Sequence, residues 1–126
     1  MGAAGGAVQG AGRRVSGRLN VLFICSRNQW RSPTAEQVFR RHPALNVRPA
    51  GTSASARKQV GAADLAWADV ILVMETKHRS RLTQDHAGLL AGKALHVLDI
   101  PDDYRFMDAE LVELLQQAVP PLLDLR

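Results

Sequence analysis

The chain has one cysteine, Cys25, among 126 residues, so no disulfide can form within it. Aromatic residues are scarce, at 5%, which argues against a stacking platform for single-stranded nucleic acid. No stretch approaches the ~20 apolar residues of a membrane span. The first residues lack the apolar core of a signal peptide. Gly6 occupies the position where a myristoylation signal needs Ser or Thr. These absences point to a reducing cytoplasm and no membrane partner. Lysine is rare as well: 13 of the 16 basic residues are arginine. The net charge of +4 favours anionic substrates, and arginine suits two-pronged phosphate contacts better than lysine. Weak RNA binding is compatible with that charge, but nothing else in the sequence supports it. His42, His78, His86 and His96 show no metal-ligand spacing and read as surface or core residues. Oligomeric state leaves no trace in the sequence.

At this length the chain is one domain. Residues 1–17 are rich in Gly and Ala, show no apolar period, and read as a disordered extension. Residues 18–126 carry the fold. Leu19–Cys25, apolar except for Asn20, has the pattern of a central parallel strand covered on both faces. Further strands are expected over residues 46–50, 69–74 and 94–98. Helices are expected from Ser32-Pro33 to before Pro43, over residues 62–66 and 76–87, and after Asp108, with Pro120-Pro121 ending or kinking the last one. Ser32 reads as the cap of the first helix, with Pro33 at its first position. Lys77, His78, Arg79 and Arg81 read as a solvated face, and Trp67 as helix packing. The alternation predicts a single α/β domain whose four-stranded parallel sheet is flanked by helices on both faces. Ligands in such folds bind at the carboxyl ends of strands, and that is where Cys25 falls.

Cys25 opens the run Cys-Ser-Arg-Asn-Gln-Trp-Arg-Ser-Pro. A strand precedes this loop and a helix follows it. Ser26, Arg27, Asn28, Gln29, Trp30 and Arg31 can curl so that successive backbone N–H groups face one anion, and the helix adds the positive end of its dipole. A phosphate fits that cradle. The same field favours a sulfur anion at Cys25, the reactive form of a cysteine nucleophile. Arg31 can grip two phosphate oxygens with its planar fork. Ser32 can donate to the sulfur, and Asn28 tolerates the left-handed backbone that a tight anion loop requires. A lone cysteine after an apolar strand is ordinarily inert packing; the polar loop and the Arg-Ser-Pro sequence argue against that here. A leaving group also needs a proton. Asp102 or Asp103, after the fourth expected strand and on the same sheet edge, can supply it, although Asp after Pro also serves as an ordinary turn residue.

Residues 21–33, 50–53, 69–75 and 100–104 together resemble the low-molecular-weight protein tyrosine phosphatase family, in the family's order. The Cys-(five residues)-Arg-Ser-Pro run directly after the first strand is highly specific to that family and its arsenate-reductase relatives. The resemblance implies a two-step phosphatase with a cysteinyl-phosphate intermediate and no metal or organic cofactor. It implies Cys25 as nucleophile, Arg31 as phosphate-binding arginine and Ser32 as thiolate-bonding serine. It further implies Asn28 as loop-shaping residue, Asp102 as general acid and Tyr104 as an aromatic at the substrate mouth. The chain also departs from the pattern. Arg27 replaces a small glycine, Trp30 a frequent second cysteine, Pro49 a serine, and Arg105 a second tyrosine. The segment after Ser53 is much shorter than usual.

The expected function is cysteine-dependent hydrolysis of a phosphate monoester, either phosphotyrosine-like or a small anionic phosphate. Arg27 and Arg105 at the mouth favour a substrate with extra negative charge. Two alternatives stand beside it. One is a non-catalytic module that binds phosphate, a phosphoprotein or RNA. The other is an arsenate reductase, which usually relays oxidation through additional cysteines that this chain lacks.

Overall fold

The computed structural model describes residues 17–125. The expected extension therefore lies outside the described residues, except for Gly17. Four parallel strands form one sheet: β1 (Leu19–Cys25), β2 (Leu45–Gly51), β3 (Val70–Val73) and β4 (Ala94–Val97). Their order is β2-β1-β3-β4. The chain runs from β1 to one neighbour and then crosses to the other, so the direction of winding reverses beside β1. A crevice opens at such a reversal, outside the carboxyl ends of the strands.

Four helices connect and cover the sheet: α1 (Arg31–Phe39), α2 (Ala62–Trp67), α3 (Thr76–Leu90) and α4 (Ala109–Leu123). Side chains alternate along β1. Val21, Phe23 and Cys25 enter a core with Ala35 and Phe39 of α1 and Leu111, Leu115 and Val119 of α4. Leu22 and Ile24 enter a second core with Leu65 of α2 and Leu82 of α3. Val21, Leu22, Phe23 and Ile24 are wholly inaccessible to solvent. Each contributes about 1.5–3 kcal/mol by leaving water, so β1 is held firmly and the loop at its end starts from a fixed point. No helix among the described residues is long and apolar enough to cross a membrane.

The expected architecture holds, with local differences. β2 is one residue longer at each end than expected, whereas β3 and β4 stop short of residues 69, 74 and 98. Asp69, Met74 and Leu98 still donate backbone hydrogen bonds to neighbouring strands. α2 extends to Trp67, and α3 continues to Leu90 through a non-helical residue, His86 (φ −142°, ψ 33°). α4 runs through Pro120 and Pro121 instead of ending there. The two prolines remove donors to the carbonyls of Gln116 and Gln117, residues that are exposed, so water can take those acceptors. Burial of Leu111, Leu115 and Val119 holds the helix on the core past this point. Asp108 caps α4 as expected, its carboxylate accepting from the Glu110 N–H at 2.9 Å.

Candidate active site

Cys25 is the last residue of β1 and is 3% exposed. The chain leaves it through residues 26–30 and enters α1 at Arg31. Asn28 adopts φ +52° at the centre of this loop, the left-handed conformation that Asn tolerates better than most residues. Among the described residues, no backbone N–H from Ser26 to Arg31 donates to a backbone carbonyl. These donors remain available to an anion.

Three backbone bonds fasten the loop from behind, one of them from the Arg57 N–H to the Arg27 carbonyl at 3.0 Å. The Thr52 N–H donates to the Cys25 carbonyl at 3.0 Å, and the Ser53 N–H to the Ser26 carbonyl at 2.9 Å. This brings Gly51 so close that an added Cβ would lie 2.5 Å from the Ser26 carbonyl oxygen and 2.9 Å from the Asn28 nitrogen. Both are backbone atoms and cannot swing aside. Gly51→Ala is therefore expected to push the loop out of place. Chemical denaturation should show a loss of about 1–3 kcal/mol, typical of overpacking, and titration with inorganic phosphate should show weakened binding. Unchanged stability and affinity would mean that the loop yields freely.

Arg31 is the largest of the fully buried side chains, at 2% exposure. A buried guanidinium needs partners, and three acceptors surround this one. Nη1 donates to the Glu75 carboxylate and, at 2.8 Å, to the Ile100 carbonyl. Nε lies 3.6 Å from Asp102 Oδ1. Nη2 has no hydrogen-bond partner among the described residues. Burial alone would raise the carboxyl pKa of Glu75, but the Arg31 hydrogen bond and charge, aided by Lys77 and His78, hold it below its ordinary value. The Arg31–Glu75 pair is thus ionised at neutral pH, and the guanidinium is fixed in orientation.

Cys25, Ser26, Arg27, Gln29, Trp30, Arg31 and Asp102 line one cavity of about 170 Å³. That is slightly larger than the ~150 Å³ cavity known to admit benzene. The fold thus joins the carboxyl end of β1, the start of α1 and the loop after β4. Of the two candidate acids, Asp102 lines the cavity and Asp103 does not.

Other expected residues sit differently. Tyr104 is absent from the cavity wall; its ring packs on the core and its hydroxyl donates to Glu110 at 3.2 Å. The Arg105 guanidinium lies 5.9 Å from the centre of the Trp30 ring, beside the cavity. Ser32 is not the cap of α1. It is the second helical residue, fully buried, and its hydroxyl bonds neither to Cys25 nor to any other described group. The helix starts earlier because Arg31 is anchored on both sides of its guanidinium and joins the first turn. Pro33 is accommodated at the third position because the first helical N–H groups have no intrahelical acceptor anyway.

Two site residues escaped the sequence reading. Glu75 belongs to the matched segment 69–75, but nothing in its spacing ties it to Arg31, 44 positions away. The sequence reads His78 as a surface or core residue and, with Lys77, Arg79 and Arg81, as part of a solvated face; the core reading holds, at 1% exposure. Its Nδ1 accepts from the Glu75 N–H at 3.0 Å, and its Nε2 lies 2.9 Å from Ser26 Oγ. Burial, then the charge of Arg31, pushes its pKa down to about 4.

No family model matches the chain. The low molecular weight protein-tyrosine-phosphatase Wzb of Escherichia coli (strain K12) is 31% identical over 116 residues, spanning 68% of this chain and 78% of the relative. Among solved structures, Wzb from Escherichia coli K30 in complex with phosphate superimposes with a TM-score of 0.69 at 22% identity, covering 83% of this chain and 96% of that one. Vibrio vulnificus Wzb in complex with benzylphosphonate gives 0.69 at 25% identity, covering 86% and 99%. The YwlE arginine phosphatase from Geobacillus stearothermophilus gives 0.63 at 19% identity, covering 84% and 88%. Sequence identity over most of the relative's length, on a shared fold, leads to one assignment: the chain belongs to the low molecular weight protein-tyrosine-phosphatase family.

Proposed function

We propose that the chain hydrolyses phosphate monoesters in two steps at the Cys25 cavity. The observation that carries this reading is the meeting of a sulfur, a guanidinium and a carboxyl group, those of Cys25, Arg31 and Asp102, in one small cavity. The Cys25 sulfur attacks phosphorus as a thiolate, forming an S–P bond as the P–O bond to the leaving group breaks. Asp102 gives its proton to the departing oxygen. Water then attacks the cysteinyl-phosphate, Asp102 takes a proton from it, and the S–P bond breaks to release inorganic phosphate and restore the thiolate. Free amides of residues 26–31 and Nη2 of Arg31 bind the phosphate oxygens throughout. Ser32, buried with an unpartnered hydroxyl, is a candidate donor to the sulfur as it leaves. Such chemistry suits a reducing compartment such as the cytoplasm, where Cys25 stays unoxidised.

The relatives bear on the ligand class. Two of their structures hold phosphate and benzylphosphonate, an inorganic anion and a phosphonate joined to an aromatic ring through one methylene. The walls of this chain bear on specificity. Arg27 lines the cavity, and Arg105 stands over Trp30 at its edge. A substrate with negative charge beyond the reacting phosphate suits these walls better than a bare phenol ester. The absence of further cysteines speaks against an arsenate reductase, and the presence of both Cys25 and Asp102 speaks against a purely binding module.

The test is steady-state turnover by purified protein of an aryl phosphate, a phosphotyrosine peptide, nucleoside mono- and bisphosphates and sugar phosphates. Hydrolysis of the aryl phosphate is expected, with the highest kcat/KM for a substrate bearing a second anionic group. Phosphotyrosine peptides outperforming every polyanion would remove the specificity claim. No turnover of any substrate would remove the catalytic one.

A further inference from the structure

We propose that the Ser26 side chain donates a hydrogen bond to a phosphate oxygen and that His78, standing behind it, aims that donor. The proposal rests on the phosphatase reading of the cavity and adds a side chain to a cradle otherwise made of amides and Arg31.

The two ring nitrogens of His78 have different partners. Nδ1 lies 3.0 Å from the backbone N–H of Glu75 and accepts its proton. A ring nitrogen that accepts carries no hydrogen, so the imidazole proton sits on Nε2. The ring stays neutral through the neutral pH range, because burial and the Arg31 charge depress its pKa to about 4. Nε2 therefore donates to Ser26 Oγ, 2.9 Å away. With that oxygen accepting from His78, its own proton must point elsewhere. No described group takes it: the His78 contact is the only hydrogen bond recorded for this hydroxyl among the described residues.

Ser26 lines the Cys25 cavity on one side and, on the other, a wider groove shared with Thr52, Ser53, Lys77, His78 and Arg81. Ser26 thus stands at the boundary of the space a phosphate would occupy, and rotation about its Cβ–Oγ bond can turn the free proton toward that space. An anionic oxygen is the acceptor that makes such a donor worth fixing, since hydrogen bonds to charged groups are the stronger ones. His78 does not touch the substrate in this arrangement. It is a positioning residue, held by α3 and locked into one tautomer by the Glu75 N–H at the cap of that helix.

The test is a double-mutant cycle of Ser26→Ala and His78→Asn. Asparagine keeps a short acceptor for the Glu75 N–H but cannot reach Ser26. Inorganic phosphate binding is measured by calorimetry and kcat/KM with an aryl phosphate. Ser26→Ala is expected to weaken phosphate binding and lower kcat/KM about tenfold. His78→Asn should cost less on its own and nothing further in the Ser26→Ala background. Ser26→Thr should retain binding, and its isostere Ser26→Val should lose it, a comparison that serves if the alanine variant does not fold. Parental phosphate affinity in Ser26→Ala, or in Ser26→Val, would overturn the proposal. So would an undiminished effect of His78→Asn without the serine hydroxyl, because His78 would then be acting on the fold alone. If the parent binds phosphate but hydrolyses no ester, the catalytic reading fails while the binding arm still decides the role of Ser26.

Discussion

Cys25→Ser should abolish turnover and leave phosphate binding nearly intact. The substitution exchanges one sulfur for one oxygen at a site that is 3% exposed, so the packing around β1 is barely disturbed. A serine hydroxyl is a poor nucleophile unless a base removes its proton, and none is free to do so in the first step, where Asp102 is engaged as the acid for the leaving group. Nδ1 of His78 is occupied by the Glu75 N–H and its Nε2 faces Ser26. Glu75 is committed to Arg31. The loss in kcat/KM should therefore be at least about 1,000-fold, as for other enzymes stripped of their nucleophile. The phosphate cradle has a different origin, in the loop amides and Arg31, and neither depends on sulfur. Calorimetric titration should find phosphate affinity within about threefold of the parent, under 1 kcal/mol. Aryl phosphate hydrolysis surviving in the serine variant would sink the assignment of the nucleophile.

The line between what the sequence reveals and what it hides follows the range of the interactions. β1 is legible because a strand buried on both faces must be apolar, as Val21–Cys25 is; only the half-buried Asn20, near its start, is polar. The loop is legible because its chemistry is local: a sulfur, a left-handed Asn28 and an arginine within one turn of chain. Strand and helix ends are less legible, because a terminal residue such as Met74 or Leu98 keeps its backbone bonds whether or not it falls within the element. The prolines of α4 mislead because a proline costs little where the acceptors it strands face water and the opposite helix face is buried. Ser32 misleads because Ser before Pro is an ordinary cap signal, yet an anchored Arg31 draws the helix start one residue earlier.

The partners of the loop are the least legible part. Glu75 and His78 act on residues 44 and 52 positions away, and both stand in a stretch whose neighbours Lys77 and Arg79 are exposed. No period or spacing ties either of them to the loop. Only the parallel pairing of β1 with β3 brings the start of α3 against the loop. The same sheet order explains how a loop after β4 reaches the cavity: β3 lies between the two, and the Ile100 N–H bonds to Met74 just beyond the end of β3. The Ile100 carbonyl then meets Arg31 directly. Arg31 is thus a junction of three segments, which is why a charged residue can be among the best-buried side chains of the molecule.

Asp102→Asn should slow hydrolysis in proportion to how poorly the leaving group departs. Asp102 is 55% exposed, lines the cavity with Cys25, and has Oδ1 3.6 Å from Arg31 Nε. It thus lies at the mouth, where a leaving oxygen would emerge, while the guanidinium deeper in the cavity holds its orientation. A positioned acid is worth about 100- to 10,000-fold when the leaving group needs a proton in the transition state. An alkyl phosphate leaves as a strongly basic alkoxide and should show the full loss. A nitrophenyl phosphate leaves as a stabilised anion, so its first step should be nearly indifferent to the substitution. What remains is the second step, in which the same carboxylate would take a proton from water; rapid mixing should then reveal a burst of nitrophenol followed by slow turnover as the cysteinyl-phosphate accumulates. Asp103 provides the internal control. It has the same charge one residue away but lies outside the cavity wall, so Asp103→Asn should keep parental rates with both esters. A large loss in the Asp103 variant and parental rates in the Asp102 variant would transfer the acid to the neighbour. Equal, leaving-group-independent losses in both would show that these carboxylates shape the mouth electrostatically and carry no proton.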